Sequence, residues 1–179
     1  MLKIITVPNP ILREKSKAVD IDKKTLDLIS EMKQTLAHTE GVKGVGLAAV
    51  QVGVPKSIFL AYSEASKKVL TFINPQIIWY SKIETEGNKK SKNKFEGCLS
   101  IPMVWAIVNR PKAVKISYQS ESGSWQIRKF GGMTAKIIQH EFDHTQGILF
   151  TDRALKQGNK LYTIKEDQDG KEYFEEIKL

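Results

Sequence analysis

Six consecutive residues constrain this chain more than any other stretch: Gln139-His140-Glu141-Phe142-Asp143-His144. They have the form H-E-x-x-H. In a helix, residues i and i+4 lie on one face a turn apart, so His140 and His144 can aim two imidazoles at a single point. Glu141 sits about 100° further around the axis, and its carboxylate can reach the edge of that point. Two neutral imidazoles beside a carboxylate suit a divalent metal with an activated water. The flanks also ask for a helix. Met133, Ile137, His140 and His144 fall at i, i+4, i+7 and i+11, which predicts one buried stripe. Gly131-Gly132 precede the stripe and Gly147 is placed to stop it. Two histidines on such a stripe can also be ordinary core residues; the Glu beside the first tilts the reading toward metal.

A catalytic metal site needs a third protein ligand and an open position. No histidine follows His144, and Glu166, Glu172, Glu175 and Glu176 lie in a charged tail that reads as solvated. The third ligand is therefore expected upstream. The chain has one cysteine, Cys98, inside Phe95-Glu96-Gly97-Cys98-Leu99-Ser100-Ile101-Pro102. A single cysteine permits no internal disulfide, and buried structural thiols are common. Thiolate and imidazole are nonetheless both good ligands for Zn²⁺ and Fe²⁺, and Cys98 is the natural partner for the two histidines. Two residues before it, Glu96 cannot easily be an isolated buried charge. An antiparallel return could bring the Arg110 guanidinium to it as a bidentate pair.

The rest of the chain reads as α+β. Asp20 or Asp22 can cap a helix running to about His38, with Leu26, Ile29, Met32 and Leu36 as its apolar stripe. His38 lies at that helix's end and reads as structural or exposed. Ser57–Tyr62, Val69–Ile73 and Gln76–Tyr80 are strand-like, with Asn74-Pro75 expected to break the last two. The lysine-rich segment 81–94 reads as an exposed loop. Val104–Val108, Ala113–Gln119 and Ser124–Phe130 are strand-like, and residues 161–165 and 173–177 suggest a terminal hairpin. Sequential strands with segregated helices predict antiparallel sheets packed around a central H-E-x-x-H helix, with an N-terminal helix. With 179 residues, one catalytic domain over 1–179 is expected.

Between the first helix and the first strand runs Gly41-Val42-Lys43-Gly44-Val45-Gly46-Leu47-Ala48-Ala49-Val50-Gln51-Val52-Gly53. Its glycines permit close backbone approach. No Gly-Lys-Ser/Thr follows, so it is not a phosphate loop. Gln51 is the strong polar group of an apolar run and needs partners, either backbone or a ligand carbonyl.

Three segments together resemble one family, the peptide deformylases. Residues 44–51 look like its G-x-G-L-A-A-x-Q motif. Residues 96–100 look like E-G-C-L-S, and residues 139–144 like Q-H-E-x-D-H. They occur in the family order and span most of the chain. The resemblance implies removal of the formyl group from the N-terminal formyl-methionine of newly synthesised polypeptides. It implies Cys98, His140 and His144 as ligands of one divalent metal, with Fe²⁺ the usual native ion and Zn²⁺ or Ni²⁺ as substitutes. Glu141 would be the general acid/base, taking a proton from the attacking water and passing one to the leaving amine. Gln51 and the Leu99 backbone N–H would stabilise the oxyanion. Backbone near Gly46 would pair with the peptide as an added strand. On the metal-facing stripe, Met133 and Ile137 would line a pocket for the substrate methionine, with Val45 beside them.

The sequence departs from the family pattern in places. Thr145 stands where leucine is common, the insert at 81–94 is long, and the tail lacks the terminal helix of some members. Docking on the ribosome through such a helix is not supported; a weak association through the basic surface, at net charge +8, remains an expectation. No apolar run is long enough for a membrane span. With the lone thiol and no signal-peptide pattern at the start, a cytoplasmic setting is expected. Two other classes stay open at this point. One is a peptidase using H-E-x-x-H, against which the missing downstream ligand argues. The other is an RNA binder resting on charge alone, although the sequence lacks basic motifs interleaved with aromatics.

Overall fold

Apolar and β-branched runs make the strands, and two stripes at helical spacing close over both faces of the largest sheet. The computed structural model describes residues 1–39, 44–85 and 95–178. In chain order the elements are helix α1 (Lys23–Ala37), strands β1 (Gly46–Ala48), β2 (Ile58–Ser63), β3 (Lys68–Tyr80), β4 (Glu84–Thr85), β5 (Phe95–Cys98), β6 (Ile101–Ile107), β7 (Arg110–Pro111), β8 (Ala113–Gln119) and β9 (Trp125–Gly131), helices α2 (Gly132–Thr145) and α3 (Phe150–Lys156), and strands β10 (Leu161–Glu166) and β11 (Glu172–Glu176). Strand pairing between these elements is antiparallel throughout, in sheets ordered β1-β2-β3-β8-β9, β11-β10-β6-β5 and β4-β7. The architecture is α+β, as expected.

The five-stranded sheet is covered on both sides. Phe59 and Ala61 of β2, Phe72 of β3, and Val114, Ile116 and Tyr118 of β8 face α2, where Ala135, Ile137 and Ile138 meet them. Phe59 and Phe72 stack at 4.7 Å, and Tyr118 lies 4.5 Å from Phe72. The alternate residues Ile58, Leu60 and Ile73 point the other way, onto Ile29, Met32 and Leu36 of α1. Asp22 caps α1 by accepting from Thr25 N at 2.8 Å. Leu26, expected on the apolar stripe, is exposed, and Thr25 is buried in its place. A separate cluster joins Ile101 and Ala106 of β6 to Leu149, Phe150 and Ala154 around α3.

Three details differ from the sequence reading. Asn74-Pro75 does not separate two strands. β3 runs through it with a shift of register between Ile73 and Gln76. Proline cannot donate to a ladder, and a bulge accommodates it without ending the strand. Asn74 takes the left-handed turn there (φ 49°), and its side chain is held by Val19 N and Val19 O at 2.9 and 2.8 Å. The 81–94 loop begins with a short strand, since Glu84–Thr85 pairs with Arg110–Pro111; residues 86–94 lie outside the described residues. Finally, β5 and α3 are elements that the periodicity did not announce.

Candidate metal centre

Two elements bring the donors together. β5 and β6 form a hairpin in which Cys98 pairs with Ile101, leaving Leu99-Ser100 as its turn. α2 lies beneath it, starting from Gly131 and Gly132, and Gly147 follows its end with φ +71°. A Cβ at Gly147 would lie 2.3 Å from the Arg13 carbonyl oxygen, so the chain can leave the helix there only as glycine. Cys98 Sγ sits 3.2 Å from His144 Nε2. The ligand atoms of Cys98, His140 and His144 all lie within 4.8 Å of one another.

The residues fit a divalent cation. One sulfur and two imidazole nitrogens form a donor set suited to Fe²⁺ or Zn²⁺, with room for a further ligand. Burial opposes a charge on His140, yet its bonds to Cys98 and Glu96 hold its pKa well above the ordinary value. The three donor atoms and the acidic partner behind His140 suit a cation at this point. Burial and the neighbouring His140 push the His144 pKa well below the ordinary value, which favours the neutral imidazole.

Glu96 supports the centre. Arg110 Nε and Nη2 grip its two oxygens at 2.7 and 3.0 Å, the fork expected from the sequence. The second of those oxygens also lies 3.0 Å from His140 Nδ1. That contact, which sequence reasoning missed, leaves Nε2 of His140 for the cluster and fixes the ring. Burial works against ionised Glu96, but Arg110 and His140 outweigh it and hold the carboxyl at about 2. Arg110 also donates to Asp143 Oδ2 at 2.9 Å, and Arg153 binds Asp143 at 2.6 and 3.1 Å. A visible signal existed for Asp143: a carboxylate one residue from a predicted buried histidine must find a cation.

Glu141 is 4% exposed, and burial raises its carboxyl to about 7. Its Oε2 is buried with no hydrogen-bond partner among the described residues, a buried acceptor left without a donor. Gly46 of β1 explains how the carboxylate fits: a Cβ there would come within 2.3 Å of Glu141 Oε1. Gln51 is buried, and its amide is oriented by its neighbours. Its Oε1 accepts from Ala48 N at 2.8 Å, while its Nε2 reaches Ser100 Oγ at 3.1 Å and Cys98 Sγ at 3.5 Å. Leu99 occupies the first turn position after Cys98.

The substrate-side candidates are more dispersed. Gly46 lies on β1, an outer strand of its sheet. Val45, just before it, is 45% exposed, and its carbonyl accepts from Tyr62 N. Ile137 is 5% exposed and packs in the core with Phe72 and Ile116, with Met133 at that cluster's margin. His38 is exposed just past the end of α1, its Nδ1 2.8 Å from Gln34 O, and stands outside the centre.

Known proteins are similar to this chain in sequence and in fold. The family model described as Polypeptide deformylase matches residues 1–160. A protein from Bartonella tribocorum named peptide deformylase is 38% identical over 158 residues, covering 85% of this chain and 83% of that protein. The crystal structure of peptide deformylase from Thermotoga maritima superposes with a TM-score of 0.76 at 32% identity, covering 86% of this chain and 97% of that one. A Met-Ala-Ser-bound peptide deformylase from Acinetobacter baumannii gives a TM-score of 0.74 at 28% identity, over 85% and 97% of the two chains.

Proposed function

The chain belongs to the polypeptide deformylase family, and from that premise we propose that Cys98, His140 and His144 hold its catalytic metal while Glu141 moves the proton. It is a metal-dependent hydrolase that removes the N-formyl group from the formyl-methionine of newly synthesised polypeptides and releases formate. The observation that carries the residue assignment is the gathering of three ligand atoms within 4.8 Å beside a buried carboxyl raised to about 7.

When bound, the metal supplies Lewis acidity, lowering the pKa of water from 15.7 toward about 7 and polarising the formyl oxygen. The chain's own groups do the rest. Glu141, titrating near neutrality, accepts a proton from the attacking water and delivers one to the amine nitrogen as the C–N bond breaks. The Gln51 amide, held by Ala48 N–H at Oε1 and by Ser100 Oγ at Nε2, and the Leu99 N–H donate to the oxygen that gains charge. Removing one such donor typically costs about 3–4 kcal/mol of transition-state stabilisation.

The peptide lies along the outer edge of β1, its backbone pairing near Gly46 as one more strand. That β1 ends its sheet, pairing among the described residues with β2 alone, supports this reading; that the Acinetobacter baumannii relative is bound to Met-Ala-Ser supports a peptide ligand. Val45, Met133 and Ile137 contribute the apolar wall for the methionine side chain. Residues 1–179 act as one catalytic unit, with α2 as the central helix that the sheets are built around. Fe²⁺ is the native metal, and Zn²⁺ or Ni²⁺ can replace it. The protein works in the cytoplasm, and its +8 charge favours a weak association with the ribosome. No helix among the described residues is long and apolar enough to cross a membrane.

A substrate panel tests this reading. Formyl-Met-Ala-Ser is hydrolysed, whereas acetyl-Met-Ala-Ser and internal peptide bonds are not. Cleavage of internal bonds, or equal rates for formyl and acetyl groups, would contradict it.

A further inference from the structure

The hydrogen bonds around Glu96 do not stop at Arg110. They continue through the core to the surface: His140 Nδ1 to Glu96 at 3.0 Å, Glu96 to Arg110 at 2.7 and 3.0 Å, Arg110 to Asp143 at 2.9 Å, and Asp143 to Arg153 at 2.6 and 3.1 Å. Glu96, Arg110 and Asp143 are each 5% exposed or less, while the Arg153 side chain is 42% exposed. Arg110 and Arg153 line one small cavity with Ile77, Tyr80 and Phe142, so the outer end of the chain of bonds meets solvent there.

We propose that Arg153 is a positioning residue for the metal centre, acting through Asp143, Arg110 and Glu96 on the ring of His140. The inference rests on the reading of Cys98, His140 and His144 as metal ligands. Charge balance supplies the cause. Two buried carboxylates, Glu96 and Asp143, are held by two guanidinium groups; Lys136 Nζ lies further off, 3.8 Å from Glu96 Oε1. Without Arg153, Asp143 is left with the Arg110 guanidinium 2.9 Å away, and that one guanidinium is shared between two buried acids. A buried carboxylate that loses its partner pulls strongly on the nearest cation. The Arg110 fork then loosens on Glu96, and Glu96 holds His140 less firmly.

Arg153 also sits on α3, so its loss could act merely by loosening that helix. The structure offers a control. Arg13 binds Asp152, the neighbouring residue of α3, outside this chain of bonds. The test uses the full chain loaded with Co²⁺ and measures the visible absorption spectrum, the rate of Co²⁺ loss to excess EDTA, kcat and KM.

Arg153→Met should lose Co²⁺ roughly three- to tenfold faster, below the 10–100-fold affinity loss typical for groups that contact a ligand directly. Its Co²⁺ spectrum should shift, and kcat should fall with little change in KM. Arg153→Lys, which can still pair with Asp143, should recover most of each effect. Arg13→Met should lower the melting temperature and leave Co²⁺ loss unchanged. Wild-type rates and spectrum in Arg153→Met, or equal acceleration by Arg13→Met, would overturn the inference. A wild-type chain that fails to hold about one Co²⁺ would overturn the metal reading itself.

Discussion

Glu141 is the proposed proton carrier, and its environment is built from a missing side chain. Gly46 leaves the space that the carboxylate fills, and burial raises that carboxyl to about 7. Glu141→Gln keeps the size and removes the base. Formate release should fall roughly 10²-fold or more while metal content stays near that of the wild type, and a near-normal rate would rule out the role. Gly46→Ala should displace the carboxylate by the same steric argument. The expected outcome is a loss of activity with metal retained, checked by elemental analysis beside the formate assay. Arg110→Lys retains the charge and loses the fork. Because Glu96 also bonds His140, metal retention should weaken by about tenfold, read as the EDTA concentration that strips half the metal. Unchanged retention would show that Glu96 holds His140 without the fork.

At the scale of elements, legibility followed local periodicity. α2 and α1 announced themselves through stripes at helical spacing and through the cap at Asp22. Of the large sheet, β2, β3, β8 and β9 showed as strand-like runs between turn residues, and β1 did not, being three small and apolar residues in a glycine-rich stretch. What escaped the sequence depends on partners distant along the chain. β3 continues through Asn74-Pro75 because Val19 and Gln119 hold the Asn74 amide, and nothing near Pro75 encodes that. The His140–Glu96 bond spans 44 positions and appears only once the hairpin folds over α2.

α3 is short, and part of its definition comes from tertiary contacts: Asp152 accepts from Leu149 N at 2.8 Å and binds Arg13 of the N-terminal segment. Burial raises the Asp152 pKa, but the bonds to Arg13 and Leu149 outweigh it and hold it below the ordinary 3.8. A depressed carboxyl contributes stability above its unfolded pKa and loses it as pH falls through the folded one. Acid should therefore weaken this clamp below about pH 4. The acid limb of the stability curve should be shallower in Asp152→Asn than in wild type, measured by urea unfolding at stepped pH. Parallel limbs would contradict it. The side chains are partly exposed, so the effect is modest.

Across the whole molecule, α1 and α2 cover opposite faces of the five-stranded sheet, and the second sheet brings Cys98 over α2. Each functional segment is short, and three separate parts of the chain supply the site: the turn holding Gln51 after β1, the β5–β6 hairpin and α2. Their order along the chain carried the family resemblance before any contact was visible. The peptidase alternative and the charge-based RNA binder both give way to the family membership. The most direct measurement is formate release from a formyl-Met peptide, titrated against metal added anaerobically to stripped protein. The account predicts no release from the stripped chain and a linear rise that saturates at about one Fe²⁺ per chain, lost again in Cys98→Ala. Release by the stripped protein, or full activity in Cys98→Ala, would contradict it.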